Sequence, residues 1–308
     1  MGDEVKALTA SFRSCILSCM TVNDYVRDFV AGLLPASLFS CGHINVPEYE
    51  LGEAGEGELR IAHVSDLHSN DFGGKDGLLA HAIREARPDL IVMTGDIFDI
   101  DMGVSKTFSN VRDFMAGIAG LCPIYYVIGN HEFYADEKPF LSAIASYGAV
   151  VLTDESVQVS VAGRPLVIAG LADPLLDLTR EQRIEKKKDA KEAYLKRLSA
   201  LARKAGEQKA SCGCPSILLA HRPEYLEDYA GCGFDLVFSG HAHGGQWIVP
   251  GLVNGLYAVG QGFFPKYAGG LYTLGGTSFI VSRGLSYQRP AFPRFGNPPE
   301  LPLVRLRY

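Results

Sequence analysis

Five short segments of this chain offer Asp, Asn or His. They are Ser65-Asp66-Leu67-His68, Gly95-Asp96-Ile97-Phe98-Asp99, Gly129-Asn130-His131-Glu132, Ala220-His221-Arg222-Pro223 and Gly240-His241-Ala242-His243-Gly244-Gly245-Gln246. Carboxylate and amide oxygens mixed with imidazole nitrogens suit divalent Mn, Fe and Zn alike. Asp66 and His68 stand two apart, so both can meet one ion from an irregular turn. Asp96 follows a glycine, and its two oxygens can bridge two cations. Each fragment alone is weak, because Gly-Asp after a strand is also a common turn. A lone histidine is more often structural than a ligand. The inference rests on the recurrence of all five in one local context.

That context is a short apolar run before each segment, which reads as a strand. Strand ends are where an α/β fold presents side chains to a shared crevice. Seven candidate ligands result: Asp66, His68, Asp96, Asn130, His221, His241 and His243. Seven exceed the four of a tetrahedral zinc site. Divided over two ions, they leave positions open for water and substrate. Two ions about 3.5–4 Å apart can clamp the attacking and leaving oxygens of an in-line displacement and bring the pKa of water near neutrality. The chemistry implied is hydrolysis of a phosphate ester or pyrophosphate.

The elements that must position these residues follow from hydrophobic spacing. Strands are expected at 59–64, 90–94, 124–128, 150–152, 165–169, 217–220 and 236–239, with shorter Gly-rich ones at 256–259, 271–274, 278–281 and 303–306. Helical spacing falls at 78–86, 104–119 and 139–147. Strands alternating with helices predict two packed sheets covered by helices, within one domain over 59–308. A linker is expected at 42–58, after an N-terminal segment, 1–41. Within that segment, residues 5–34 have amphipathic helical spacing up to Pro35. Such a helix either packs on the domain or lies in a membrane interface. Residues 178–209 read as a charged helical insert in which eleven basic residues stand against five acidic ones. It is either a solvated crossover with i,i+4 ion pairs or a basic surface that attracts anionic lipid or phosphate.

Composition sets the remaining bounds. The 308 residues are 47% apolar and 21% charged, as in an ordinary globular protein, and the formal charge of −6 argues against a nucleic-acid partner. Seven cysteines do not form an even disulfide framework, so reduced thiols in a reducing compartment are expected, with Cys212-Gly213-Cys214 as loop thiols. No stretch approaches about 20 consecutive apolar residues. The expected location is therefore cytoplasmic, with at most peripheral contact at the inner membrane through residues 5–34 and 178–209.

The ordered set D-x-H, G-D-x-x-D, G-N-H-E, H and G-H-x-H resembles the calcineurin-like metallophosphoesterase superfamily over roughly residues 59–308. The tail, Val281-Ser282-Arg283-Gly284-Leu285 and Arg294-Phe295-Gly296-Asn297-Pro298-Pro299-Glu300, is similar to the YkuE/YaeI-like branch of bacterial phosphodiesterases. That branch includes enzymes hydrolysing UDP-2,3-diacylglucosamine in lipid A synthesis. The resemblance implies a four-layer α/β/β/α sandwich of two mixed sheets and two divalent ions, Mn, Fe or Zn. It implies that Asp66, His68 and His243 hold the first ion and Asn130, His221 and His241 the second, with Asp96 bridging. His131 would face the scissile phosphate, and Asp99 would orient it or cap its loop. A phosphorylated small-molecule or lipid-linked substrate is the implied partner.

Overall fold

The computed structural model describes residues 43–52, 57–99, 104–134, 136–179, 182, 190–249, 253–287 and 294–308. The N-terminal stretch 5–34 and most of 180–189 lie outside the described residues.

The first sheet is built from β1 (Glu48–Leu51), β2 (Glu58–Val64), β3 (Leu90–Thr94), β4 (Ile124–Val127), β5 (Ala149–Val151) and β14 (Leu303–Arg307), in the order β1-β14-β2-β3-β4-β5. Strands β2 to β5 run parallel, with α1 (Leu78–Ala86), α2 (Val104–Ile118) and α3 (Glu137–Ala145) between them in sequence. The second sheet contains β6 (Glu155–Val161), β7 (Arg164–Leu171), β8 (Ser216–Ala220), β9 (Leu236–Ser239), β12 (Gly270–Leu274) and β13 (Thr277–Val281), in the order β12-β13-β9-β8-β7-β6. Helices α4 (Lys191–Cys212) and α5 (Leu226–Ala230) cover it, and β10 (Tyr257–Ala258) with β11 (Gly262–Phe263) forms a separate hairpin.

Two-residue periodicity turns these strands into layers. In β3, Leu90 and Val92 enter the core between the sheets, whereas Ile91 and Met93 face α1 and α2. In β7, Leu166 and Ile168 face the first sheet, and Val167, Ala169 and Leu171 face Tyr194, Leu198 and Leu201 of α4. Three apolar cores stacked in this way make the four-layer α/β/β/α sandwich. Near-continuous apolar runs are what strands buried on both faces require.

Two expectations need correcting. The stretch read as a linker carries β1, which pairs in parallel with β14 and follows an Asn45–Glu300 bridge. Alternating Glu48, Tyr49, Glu50 and Leu51 is a half-exposed edge strand, and its glutamates hide the signal. The charged stretch expected at 178–209 is helical where it is described, from Lys191 on. Its Tyr194, Leu198, Leu201 and Ala205 are buried, while Arg197 pairs with Asp154 and Asp177, and Lys209 with Asp235. Part of the basic excess is thus neutralised within the fold. Finally, Cys212 and Cys214 form a disulfide rather than loop thiols, because the chain turns at Gly213 and brings their Cα atoms to 5.2 Å. Cys122 and Cys232 are free thiols.

Candidate metal centre

The C-terminal ends of β2, β3 and β4 in one sheet and of β8 and β9 in the other converge, and all five segments sit there. The chain accepts backbone strain to aim them. Asp66, His68, Asp96, His241 and His243 all take positive φ, from 47° to 63°. Such conformations cost on the order of 1–3 kcal/mol each and persist only where surroundings over-determine them. Here those surroundings are bonds between loops: Asp66 N–H donates to Gly95 O, His68 N–H to Asp96 O and Ser69 N–H to Ile97 O, at 2.9–3.1 Å.

Glu132 supplies the second restraint. Its buried carboxylate accepts the amide protons of Asp96 (3.2 Å), Ile97 (2.7 Å), Phe98 (3.2 Å) and Gly129 (3.1 Å), tying the β3 loop to the β4 loop. The sequence showed this acid inside G-N-H-E but not its role. The available clue was a carboxylate beside apolar Phe133. Close approach matters at Gly240, where a Cβ would fall 1.9 Å from Ser65 Oγ and 2.3 Å from Asp66 Oδ2.

The seven candidate ligands gather as two groups. The ligand atoms of Asp66, His68 and His243 lie within 4.8 Å of one another, as do those of Asp96, His221 and His241. Asn130 Oδ1 joins the second group, 3.2 Å from His221 Nε2. Asp96 Oδ2 faces both, 3.2 Å from His221 Nε2 and 3.6 Å from His68 Nε2. A third group of His68, Asp99 and His131 overlaps the first.

Hydrogen bonds decide which imidazole nitrogen is available. His221 Nδ1 donates to Thr94 O at 2.6 Å, and a carbonyl can only accept, so Nε2 is the nitrogen turned toward the centre, 3.2 Å from Asp96 Oδ2. His68 Nδ1 lies 2.9 Å from Asp99 Oδ2, and His243 Nδ1 lies 3.1 Å from Ser286 Oγ, which leaves both Nε2 atoms inward. Asp99 was expected to orient His131. Its Oδ2 is 3.5 Å from His131 Nδ1 but closer to His68, so one oxygen serves both rings. Asn297 donates to His243 O (2.8 Å) and Gln246 O (3.1 Å), fixing the turn that carries His243.

A directed chain of bonds reaches Asp66 from the interior. His63 Nε2 is 2.7 Å from Thr94 Oγ1, Thr94 donates to Ser65 Oγ (2.9 Å), and Ser65 donates to Asp66 Oδ2 (2.7 Å). Since each hydroxyl gives its proton toward the carboxylate, His63 must donate from Nε2. Its buried Nδ1 has no hydrogen-bond partner.

Electrostatics separate the two carboxylates. Burial pushes Asp66 up to about 6, despite His221 and the bonds from Ser65 and the His241 amide. Burial would also raise Asp96, but His221, His131 and His68 together hold it well below the usual carboxylate range. Burial likewise raises Asp99, and hydrogen bonds from His131 and His68 pull it well below that range. Glu132 is pushed up to about 7 by burial and by Asp96. Inward-facing imidazoles, an amide oxygen and carboxylates sharing one buried pocket are a donor set that fits two divalent cations.

The sequence signature of the calcineurin-like phosphoesterases matches residues 59–245. The chain belongs to that family. Among characterised and uncharacterised relatives, it is 29% identical to the phosphodiesterase YaeI of Escherichia coli over 237 residues, 74% of this chain and 75% of that protein. It is 28% identical to a metallophosphoesterase of Helicobacter pylori over 253 residues, 81% of this chain but only 60% of that protein. The chain therefore spans about three fifths of the length of some curated relatives it matches. Among solved structures, a dimetal phosphatase from Danio rerio aligns with a TM-score of 0.46 at 14% identity, covering 77% of this chain and 91% of that one.

Proposed function

We propose that this protein hydrolyses a phosphodiester or pyrophosphate bond with two divalent ions, Mn, Fe or Zn. The observation carrying this reading is the pair of ligand groups facing one shared Asp96 oxygen. Asp66, His68 and His243 would hold one ion, Asn130, His221 and His241 the other, and Asp96 would bridge. Bound ions supply charge stabilisation at the phosphoryl oxygens and lower the pKa of water. His131 is part-exposed at the mouth of the centre. Through the ring nitrogen not facing Asp99, it would pass a proton to the leaving oxygen, and Asp99 would steady the resulting imidazolium.

The proposed substrate is lipid-linked, a nucleotide-diphospholipid such as UDP-2,3-diacylglucosamine, met at the cytoplasmic face of the inner membrane. Supporting this is an apolar surface beside the centre. Residues 246–265 contain no charged side chain. The hairpin of β10 and β11 exposes Tyr257, Val259, Phe263 and Phe264, the two phenylalanines at 71% and 67%. Leu256 N–H donates to Gly245 O, which joins this hairpin to the His243 turn. Aromatic side chains in an uncharged setting suit the interface between headgroups and acyl chains. Helix α4 contributes less to this reading than its sequence charge suggests, given its internal ion pairs. No described helix is long and apolar enough to cross a membrane.

The test is a substrate panel with added Mn: UDP-2,3-diacylglucosamine, other nucleotide diphosphates, phospholipids, cyclic nucleotides, a short DNA and an aryl phosphodiester. Turnover of the diacylated nucleotide that disappears in Phe263→Ser/Phe264→Ser, with aryl ester turnover intact, supports the lipid reading. Equal turnover of unacylated diphosphates would overturn it in favour of a broad-specificity phosphodiesterase. DNA cleavage would indicate a nuclease, and no turnover of any kind a scaffold.

A further inference from the structure

Three of the four histidines in the ligand groups have their outward nitrogen accounted for: His68 by Asp99, His221 by Thr94 O and His243 by Ser286. His241 is the exception. It points Nδ1 inward, 3.2 Å from His221 Nε2. Its outward Nε2 meets two groups of opposite character, Arg222 Nη1 at 3.4 Å and Glu224 Oε1 at 4.0 Å. Arg222 can only donate, and an ionised Glu224 can only accept.

The two neighbours select different tautomers. If Arg222 donates to Nε2, the ring proton sits on Nδ1 and points at His221 Nε2, so that Nδ1 is not open to a cation. If Glu224 accepts from Nε2–H, Nδ1 is bare and free to hold a cation. We propose that Glu224 is the residue that positions His241, accepting its Nε2–H and thereby presenting Nδ1 to the second ion. Metal-bound imidazoles ordinarily donate their other nitrogen to a carboxylate or carbonyl.

The surroundings of Glu224 are built for this. The residue lies in the turn Pro223–Tyr225, directly after the β8 segment that ends at His221. Arg222 holds it by Nη1 to Oε1 at 3.3 Å, and is itself clamped by Asp173 through Nε (2.6 Å) and Nη2 (3.2 Å). The second carboxylate oxygen, Oε2, is buried and has no hydrogen-bond partner, so an acceptor is in reserve. The backbone at Gly260 closes over the carboxylate, where a Cβ would meet Oε1 at 2.4 Å. Glu224 thus completes an A-H-R-P-E segment in which only His221 had been given a task.

This inference rests on the two-ion reading, and the experiment separates the two. Zn²⁺ alone is titrated into the full-length wild type and Glu224→Gln, with bound metal counted by mass spectrometry. Imidazole nitrogen NMR of the Zn-loaded wild type locates the His241 proton. The expected result is two ions in the wild type, a proton on His241 Nε2, and one of the two affinities weaker by about 10- to 100-fold in Glu224→Gln with the other unchanged. A proton on Nδ1, or unchanged uptake of both ions by the variant, overturns the role of Glu224 alone. Fewer than two ions in the wild type overturns the two-ion reading, and this inference with it. Should Glu224→Gln fail to fold, the wild-type tautomer still decides.

Discussion

The two ligand groups contain similar residues but are braced differently. In the group of Asp66, His68 and His243, the braces are side chains: Asp99, Ser286 and Ser65. In the group of Asp96, His221 and His241, they are the Thr94 carbonyl and the Arg222–Glu224 pair. The carboxylates differ as well. Asp96 is surrounded by three imidazoles that favour its charge, whereas burial resists the charge on Asp66. The second group carries its own compensation, while the first needs an incoming cation to offset a buried carboxylate. Similar donor sets can therefore stand in opposite electrostatic conditions a few ångströms apart.

Removing the residue common to both should have the largest effect. Asp96→Asn keeps the volume and takes away the shared anionic oxygen. Turnover of an aryl phosphodiester should fall by more than about 10²-fold, and metal analysis should show loss at both groups. A variant that loses only one ion would show that Asp96 belongs to one group. Next in size is His131→Ala, which removes a ring that belongs to neither group of candidate ligands. Its kcat should drop about 10²- to 10⁴-fold with metal content unchanged, as expected for a proton donor. Equal loss of metal would instead make His131 a ligand, through the overlapping group with His68 and Asp99.

Ser286→Ala sharpens the contrast further, because it removes a brace from the first group only. One Zn²⁺ affinity should weaken by up to about tenfold, and the effect should add to that of Glu224→Gln rather than overlap it. If the double variant weakens the same ion twice, the division into two separately braced groups is wrong.

How far these features were legible in the sequence follows the same division. The candidate ligands, which the fold brings together, and most strands were readable because strand-end Asp, Asn and His segments repeat, and because β3 and β8 are uninterrupted apolar runs. The braces were mostly silent. Asp99 was visible through its G-D-x-x-D spacing, but Ser286 lies 43 residues from the histidine it supports. Glu224 was hidden in a turn of ordinary composition, and Glu132 binds backbone amides, which leave no residue-type signature. Strand β6, with exposed residues alternating along Glu155–Val161, and the edge strand β1 were missed because one face of each is wet. The C-x-C pair was misread because spacing alone does not show that the helix ends at Gly213.

The smallest effect concerns the support behind both groups. His63 is fully buried, its ring 4.9 Å from that of Phe238, and burial together with His221 lowers it to about 3. Its folded pKa lies below the unfolded value of 6.5, so the fold disfavours its charged form relative to the unfolded chain. The associated stability is complete above about pH 6.5 and is lost as pH falls toward 3, at up to about 1.4 kcal/mol per unit. At pH 5 the loss should be roughly 2 kcal/mol. His63→Gln can still donate to Thr94 but does not titrate. Its chemical-denaturation midpoint should fall less than that of the wild type between pH 7 and pH 5, with uptake of both ions at pH 7.5 unchanged. Parallel acid limbs in the two proteins would remove His63 from the account. A changed affinity for one ion would instead mean that the Thr94–Ser65 chain makes His63 a brace of Asp66.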